Sequence, residues 1–156
     1  MSLEKENFLR SDLVPCLQRL YPATQPQWGK MNVQQMIEHF ADAIMNASGK
    51  LKLPAVNEGE RLEKFRQFLM SEKPFLPNTK NPLMAEEPAP LKFNTVQAAI
   101  NKLKQEMMHF FDVFEKNPAL ITQNPFFGKL NFEENTRLLH KHAIHHLKQF
   151  GIDLDL

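Results

Sequence analysis

The strongest constraint on the fold is a long amphipathic pattern between positions 94 and 118. Apolar side chains recur there at alternating intervals of four and three residues: Val96, Ile100, Leu103, Met107, Phe110 and Phe114. This spacing places them along one face of an α-helix. Pro118 ends the pattern, because proline cannot continue a helix. The segment therefore predicts a helix over 94–117 that buries one side against other parts of the chain.

Two further helices are indicated by signals at their first turns. Asn32 with Gln35, and Asn131 with Glu134, have the spacing of capping boxes. In a capping box, two side chains bond the backbone amides that a helix start leaves without partners. Apolar periodicity follows each signal, and Gly151 is suited to end the second helix. These patterns predict helices over 32–48 and 132–150.

The remaining helices have weaker signals. Ser11 and Asp12 are candidate N-caps for a helix over 11–20, and a less regular pattern predicts a helix over 59–71. No segment alternates apolar and polar residues as a half-buried strand does, so positions 119–130 are predicted to form a loop. Four principal helices joined by loops predict an all-α fold, a four-helix bundle in one domain spanning 1–156.

One connection is unusually rich in proline. Five prolines between positions 74 and 90 exclude a regular helix there. Four apolar residues in the same segment argue for an ordered loop rather than a free linker: Phe75, Leu76, Leu83 and Met84. Two interpretations stay open for this long loop, a surface strap over the core or a wall over a pocket.

Charge and hydropathy exclude two classes of partner. The net charge is +1, and the 19 Lys and Arg residues are spread along the chain without a basic stripe, so nucleic acid is not predicted as a partner. No run of 18 apolar residues exists, so no membrane span is predicted, and the N-terminus lacks the apolar core of a signal peptide. The lone Cys16 cannot form an internal disulfide and is predicted to be a buried small side chain. A cytoplasmic location is the expectation that fits these features.

Four of the six histidines fall in a seven-residue stretch inside the last predicted helix: His140, His142, His145 and His146. At about 100° per residue, His142 and His146 fall at the centre of one helix face, whereas His140 points away toward solvent or a partner. An i, i+4 pair of imidazoles can converge on one metal ion. The residues between them lack the glutamate of an H-E-x-x-H zinc protease. A zinc protease is therefore not predicted.

Two imidazoles alone make a poor metal site, and the third ligand must come from a facing helix. His39 and His109 are the candidates, and helix geometry does not decide between them. A competing explanation for the cluster is that histidines are favoured near a helix C-terminus by the helix dipole. Four polar side chains could orient an imidazole or could simply be solvated: Gln35, Asp42, Asn46 and Gln149.

Two segments, WGKMNVQQMIEH (28–39) and FGKLNFEENTRLLHKHAIHHLKQFG (127–151), resemble the DinB-like superfamily, also called YfiT-like, of small metal-binding four-helix bundles. More narrowly, they resemble a bacterial branch of it, over positions 11–151. The resemblance implies that His39, His142 and His146 bind a divalent metal ion (zinc, nickel or manganese), with water in the open positions. His145 matches a companion histidine that is not normally a ligand.

The resemblance also suggests an activity. Similar proteins include bacillithiol- or mycothiol-dependent S-transferases and a thiol-dependent maleylpyruvate isomerase. We therefore expect a divalent-metal-dependent enzyme that transfers a low-molecular-weight thiol to an electrophilic small molecule. No catalytic residue and no organic cofactor is predicted, and Cys16 is predicted to lie in an apolar helix with no adjacent basic pocket. The alternatives are a metal-dependent hydrolase, a non-catalytic metal- or ligand-binding bundle, and a helical interaction protein whose histidines are incidental.

An apolar pair bears on oligomeric state. Ile144 and Leu147 lie on the side of the last helix opposite His142, and an outward apolar pair suggests packing against the long loop or a second subunit. Some proteins of the superfamily that the chain resembles are dimers. A homodimer is therefore expected.

Overall fold

The computed structural model of the chain describes residues 2–77 and 87–154. This part is mostly helical, with one small antiparallel sheet. The elements in chain order are α1 (Ser2–Asn7), a π-helical turn (Phe8–Asp12), α2 (Leu13–Gln18), α3 (Val33–Ser48), α4 (Gly59–Met70), α5 (Val96–Lys116), β1 (Thr122–Asn124), β2 (Gly128–Leu130) and α6 (Phe132–Gln149). Among these elements, no helix is long and apolar enough to cross a membrane.

Both predicted capping boxes are formed. The Asn32 side chain accepts from the Gln35 amide at 2.8 Å, and the Gln35 side chain accepts from the Asn32 amide at 2.9 Å. Asn131 and Glu134 exchange the same two bonds at 2.9 and 3.0 Å. At the other end of α6, Gly151 adopts a positive φ of 90°, a left-handed conformation suited to glycine. Local signals therefore place α3 and α6 where the sequence predicts them.

The predicted start of the first helix is wrong. Helical structure begins at Ser2 rather than at position 11, and the Asp12 side chain makes no capping hydrogen bond. Phe8 and Leu9 are buried, so the apolar face extends into the N-terminal segment. The wider π-helical turn comes just before Pro15, whose missing N–H and bulky ring disturb the α-helical bonds of the preceding turn.

The prediction of a plain loop over 119–130 is also wrong, because β1 and β2 form a hairpin there. Thr122 pairs with Leu130, and Asn124 pairs with Gly128. The Thr122 hydroxyl donates to the Ala47 carbonyl at 2.9 Å, which attaches the hairpin to the end of α3. Strands of three residues are too short to show an alternating pattern in the sequence.

The main core lies between four helical regions: the N-terminal helices, α3, α5 and α6. Each region packs against two of the others, since α3 contacts α5 and α6, and the N-terminal helices contact the same two. Among the residues that are almost completely buried in this core are Leu9, Ile37, Leu103, Phe110 and Leu139. The face of α5 predicted from its four-three spacing is the face that this core buries.

The prediction that Ile144 and Leu147 form an outward apolar pair on α6 is wrong. Leu147 is 1% exposed, and Ile144 is partly buried against the same core. The N-terminal helices pack on α6, so that α6 buries more than one face. The apolar pair therefore does not support a homodimer. The homodimer stays a prediction from the resemblance alone.

A second apolar cluster lies at the end of the molecule that carries the hairpin. It joins α4, the hairpin and the first half of α6 through Leu69, Phe127, Leu130 and Leu138. Phe75, from the start of the proline-rich segment, packs against this cluster. Leu83 and Met84, which support the prediction of an ordered loop, lie outside the described residues.

Candidate metal centre

Three histidines from two helices meet at one place. His39 lies on α3, and His142 and His146 lie on α6. One nitrogen of each ring can be chosen so that all three lie within 4.8 Å of one another. The His39 ring centroid is 5.3 Å from each of the other two. The three predicted metal-binding positions are therefore brought together, and they are the one group of three such side chains found in the described part of the chain.

The pair on α6 has the geometry expected of residues four apart on a helix. The Nε2 atoms of His142 and His146 lie 2.7 Å from each other. Phe40, one residue after His39 on α3, places its ring centroid 4.9 Å from that of His142. Phe40 is 2% exposed, so a side chain of the apolar core lies against the His142 ring.

The position of His39 follows from the register of α3. The capping box at Asn32 starts the helix, and the buried stripe that contains Ile37 and Phe40 turns toward the core. His39 falls beside that stripe and is half-buried on the side that α6 covers. His109, the other candidate for a third ligand, is exposed on α5 and takes no part in the group.

The other two histidines of α6 make different contacts. His140 was expected to face solvent or a partner, but its ring meets the Phe8 ring edge-on at 5.4 Å. The N-terminal helices lie on that side of α6, which explains the difference. His145 lies between Trp28, at 5.2 Å, and Phe75, at 5.8 Å.

Burial favours the uncharged form of the three clustered histidines. The pKa of His142 lies well below its usual value because burial disfavours the charged ring, and His146 and His39 act in the same direction. Burial lowers the pKa of His146 to about 3, although its bond to Gln149 favours the charged form. Burial also lowers the pKa of His39, against the opposing effect of Asp42. Neutral imidazole is the form that binds a metal ion.

Of the four polar side chains that could orient an imidazole, Gln149 makes a direct contact. Its Oε1 lies 2.8 Å from Nδ1 of His146. Asp42 acts on His39 through charge while pairing with Lys92 at 3.2 Å. The other two are used elsewhere. Gln35 closes the capping box of α3, and the Asn46 amide donates to the carbonyls of Leu51 and Gln123.

Two aromatic residues beside the site are not predicted to contact the histidines, although Trp28 begins the first segment that carries the resemblance and Phe75 lies in the proline-rich segment. Trp28 contacts His145 from the loop before α3, and Phe75 places its ring 6.2 Å from His142. The interpretation of the proline-rich segment as a wall gains support at Phe75, which borders the histidines. An aromatic residue in a loop gives no indication from sequence of the helix against which it packs.

The environment of Cys16 differs from the prediction. The Arg19 guanidinium donates to Cys16 Sγ at 3.2 Å, so a basic group does adjoin this cysteine. Arg19 lies three residues further along the chain, one helical turn away, which is how the two meet. Cys16 is buried and does not belong to the histidine group.

The donor set fits a divalent ion of intermediate softness. Three neutral imidazoles, supplied by two packed helices, match the three-ligand arrangement of catalytic sites that keep a further position open. Comparison of the chain with protein-family models, with curated proteins and with solved structures finds no match. The geometry of His39, His142 and His146 therefore supports the candidate metal centre.

Proposed function

We propose that this protein is a divalent-metal-dependent enzyme of the DinB-like superfamily, in which His39, His142 and His146 hold the ion. The observation that carries the proposal is the convergence of three imidazoles, with one ring nitrogen of each within 4.8 Å of the others. Among zinc, nickel and manganese, the all-nitrogen donor set favours zinc or nickel, since manganese prefers carboxylate oxygens.

We also propose that the fold is the four-helix bundle of that superfamily. The N-terminal helices, α3, α5 and α6 would form the bundle, because each packs against two of the others. The helix α4 and Phe75, at the start of the proline-rich segment, would then be an addition that packs on the first half of α6.

The proposed reaction is transfer of a low-molecular-weight thiol to an electrophile. A divalent ion at this site would lower the pKa of a thiol or a water molecule bound to it. The chain's own residues present three nitrogen ligands, while Phe40 excludes water from the core side. The histidine group includes no cysteine, so the small molecule rather than the protein would supply the sulfur nucleophile.

Calorimetric titration of the purified apo-protein with zinc and with nickel tests the metal site. We expect one ion per chain for the wild type. His39→Ala, His142→Ala and His146→Ala should each abolish stoichiometric binding, because two imidazoles do not hold an open site tightly. All three should stay folded by circular dichroism, since a core of this size does not depend on a metal.

The matched controls are the remaining histidines. His109→Ala removes an exposed imidazole on α5, and His145→Ala removes one next in sequence to a proposed ligand. Both should still bind one ion. If His145→Ala loses the ion and His146→Ala keeps it, the ligand pair is misassigned. Thiol transfer to an electrophile, assayed with and without the metal, then separates an enzyme from a protein that only binds metal.

A further inference from the structure

The side chain of Gln149 is held between the histidine group and the loop before α3. It is 3% exposed and lies at the end of α6. Its Nε2 donates to the Trp28 carbonyl at 2.9 Å, and its Oε1 lies 2.8 Å from His146 Nδ1. The backbone joins the same two segments, because the Gln27 amide donates to the Gln149 carbonyl at 2.8 Å.

The order of donors and acceptors along this chain of contacts has only one consistent direction. A backbone carbonyl can only accept, so the Gln149 amide must turn its NH2 group toward Trp28. The amide oxygen then faces His146, and because that oxygen also only accepts, the hydrogen of the neutral ring must be on Nδ1. The lone pair of His146 is thereby left on Nε2, the atom that lies 2.7 Å from Nε2 of His142.

We infer that Gln149 is the positioning residue of the metal centre: with the Trp28 carbonyl, it fixes His146 as the tautomer whose Nε2 is free to bind the ion. The inference rests on the proposed metal site, but its first consequence concerns the protein without metal. An imidazole that is free to change tautomer carries its hydrogen on Nε2 for part of the time and must move it before binding.

The backbone around Trp28 suits this role. Gly29 has a φ of +78°, and a Cβ atom at this position would lie 3.0 Å from Nε2 of Gln149. A side chain there would push on the Gln149 amide, in addition to straining the backbone. Glycine at this position therefore lets the loop approach the amide closely.

Nitrogen chemical shifts of the His146 ring in apo-protein near pH 8, where imidazoles are neutral, test the first consequence. The wild type should show a protonated Nδ1 and a bare Nε2. Gln149→Leu removes the acceptor while keeping similar volume, and the ring should then populate the other tautomer. Gln149→Glu keeps an acceptor oxygen for Nδ1 but no longer donates to the Trp28 carbonyl, so it should restore the protonated Nδ1 through the acceptor alone.

Zinc titration of the same variants tests the second consequence. Gln149→Leu should bind zinc about ten- to a hundredfold more weakly than the wild type, as is typical when a group that orients a ligand is lost. Gln149→Glu should lie closer to the wild type. Asn46→Leu is the matched control, since it removes a buried amide of α3 with its two carbonyl contacts away from the histidines, and it should leave both readouts unchanged.

The role of Gln149 and the proposed function are contradicted by different outcomes. An unchanged His146 tautomer in Gln149→Leu, or a loss of zinc affinity equal to that of Asn46→Leu, would overturn the role of Gln149. A wild-type protein that binds neither zinc nor nickel would refute the proposed function, and the tautomer measured in the apo-protein would still decide whether Gln149 sets it.

Discussion

Burial of imidazoles on α6 makes the folded state sensitive to acid. Burial lowers the pKa of His140 to about 4 and that of His146 to about 3, from an ordinary value of 6.5. Between pH 6.5 and these lowered pKa values, the unfolded chain binds protons that the folded chain does not. Stability should therefore be fully present above pH 6.5 and should be lost as the pH falls toward 4 and then 3.

Urea unfolding of the apo-protein at several pH values checks this prediction. The midpoint should fall steadily below about pH 6.5, the ordinary pKa of histidine. His140→Leu, which removes one buried imidazole beside Phe8, should make the decline shallower. His109→Ala removes an exposed imidazole and should leave the decline unchanged. Equal slopes for the wild type and His140→Leu would show that His140 does not contribute.

Two glycines allow the close contact at Gln149 to be separated from backbone strain. Gly29 and Gly59 both have positive φ, +78° and +60°, but a Cβ at Gly59 would meet no atom within 4 Å. Each Gly→Ala substitution should cost about 1–2 kcal/mol for the left-handed backbone. Gly29→Ala should lose more stability than Gly59→Ala, because its methyl group also presses on Gln149. Urea unfolding of the two variants gives the difference, and equal losses would mean that Gln149 moves aside freely.

At the scale of elements, one lysine of α6 binds the backbone just after the end of α4, close to the histidines. The Lys141 ammonium donates to the Ser71 carbonyl at 3.0 Å, and it also contacts the Lys73 carbonyl. It lies 4.4 Å from the Phe68 ring centroid. These carbonyls follow the C-terminus of α4, where positive charge is favourable. The contact holds the chain that leads to Phe75 against α6.

Substitution of this lysine should loosen the segment that borders the metal centre. Lys141→Met keeps an apolar stem of similar length but removes the charged donor, so stability should fall by about 1–3 kcal/mol. Amide exchange of residues 65–76 should accelerate more than that of α5. Lys148→Met changes an exposed lysine of the same helix and should have little effect. Uniform acceleration throughout the chain would contradict a local role for Lys141.

At the scale of the whole molecule, the two apolar clusters should differ in how they unfold. Ile37 lies in the main core and Leu69 in the cluster that joins α4, the hairpin and α6, and both are almost completely buried. Truncation of either to alanine should cost about 2–5 kcal/mol. Ile37→Ala should lower protection of α3 and α5 together, because these helices share the main core.

Leu69→Ala should act on a smaller part of the molecule. Native-state hydrogen exchange should show faster opening of α4 and the hairpin, while α5 keeps its protection. Phe75 packs against this cluster and also borders the histidines, so Leu69→Ala should change zinc affinity. The change should be smaller than in His146→Ala, because all three proposed ligands remain. If both variants lower protection everywhere by the same amount, the two clusters unfold as one unit.

Features that depend on neighbours along the chain could be predicted from the amino-acid sequence. Capping signals at Asn32 and Asn131 located α3 and α6, and the spacing of His142 and His146 put their rings on one face of a helix. These inferences hold because helix geometry relates residues only a few positions apart. The choice of His39 over His109 came from the family resemblance, not from geometry.

Which helix faces meet could be seen only in the tertiary structure. It placed His39 rather than His109 opposite the pair on α6, buried Leu147 under the N-terminal helices, and brought Trp28 to Gln149. Helical periodicity states that a face is apolar or carries histidines, but it does not state which distant element covers that face. That choice depends on the packing of all four helical regions at once, because each covers faces of two others.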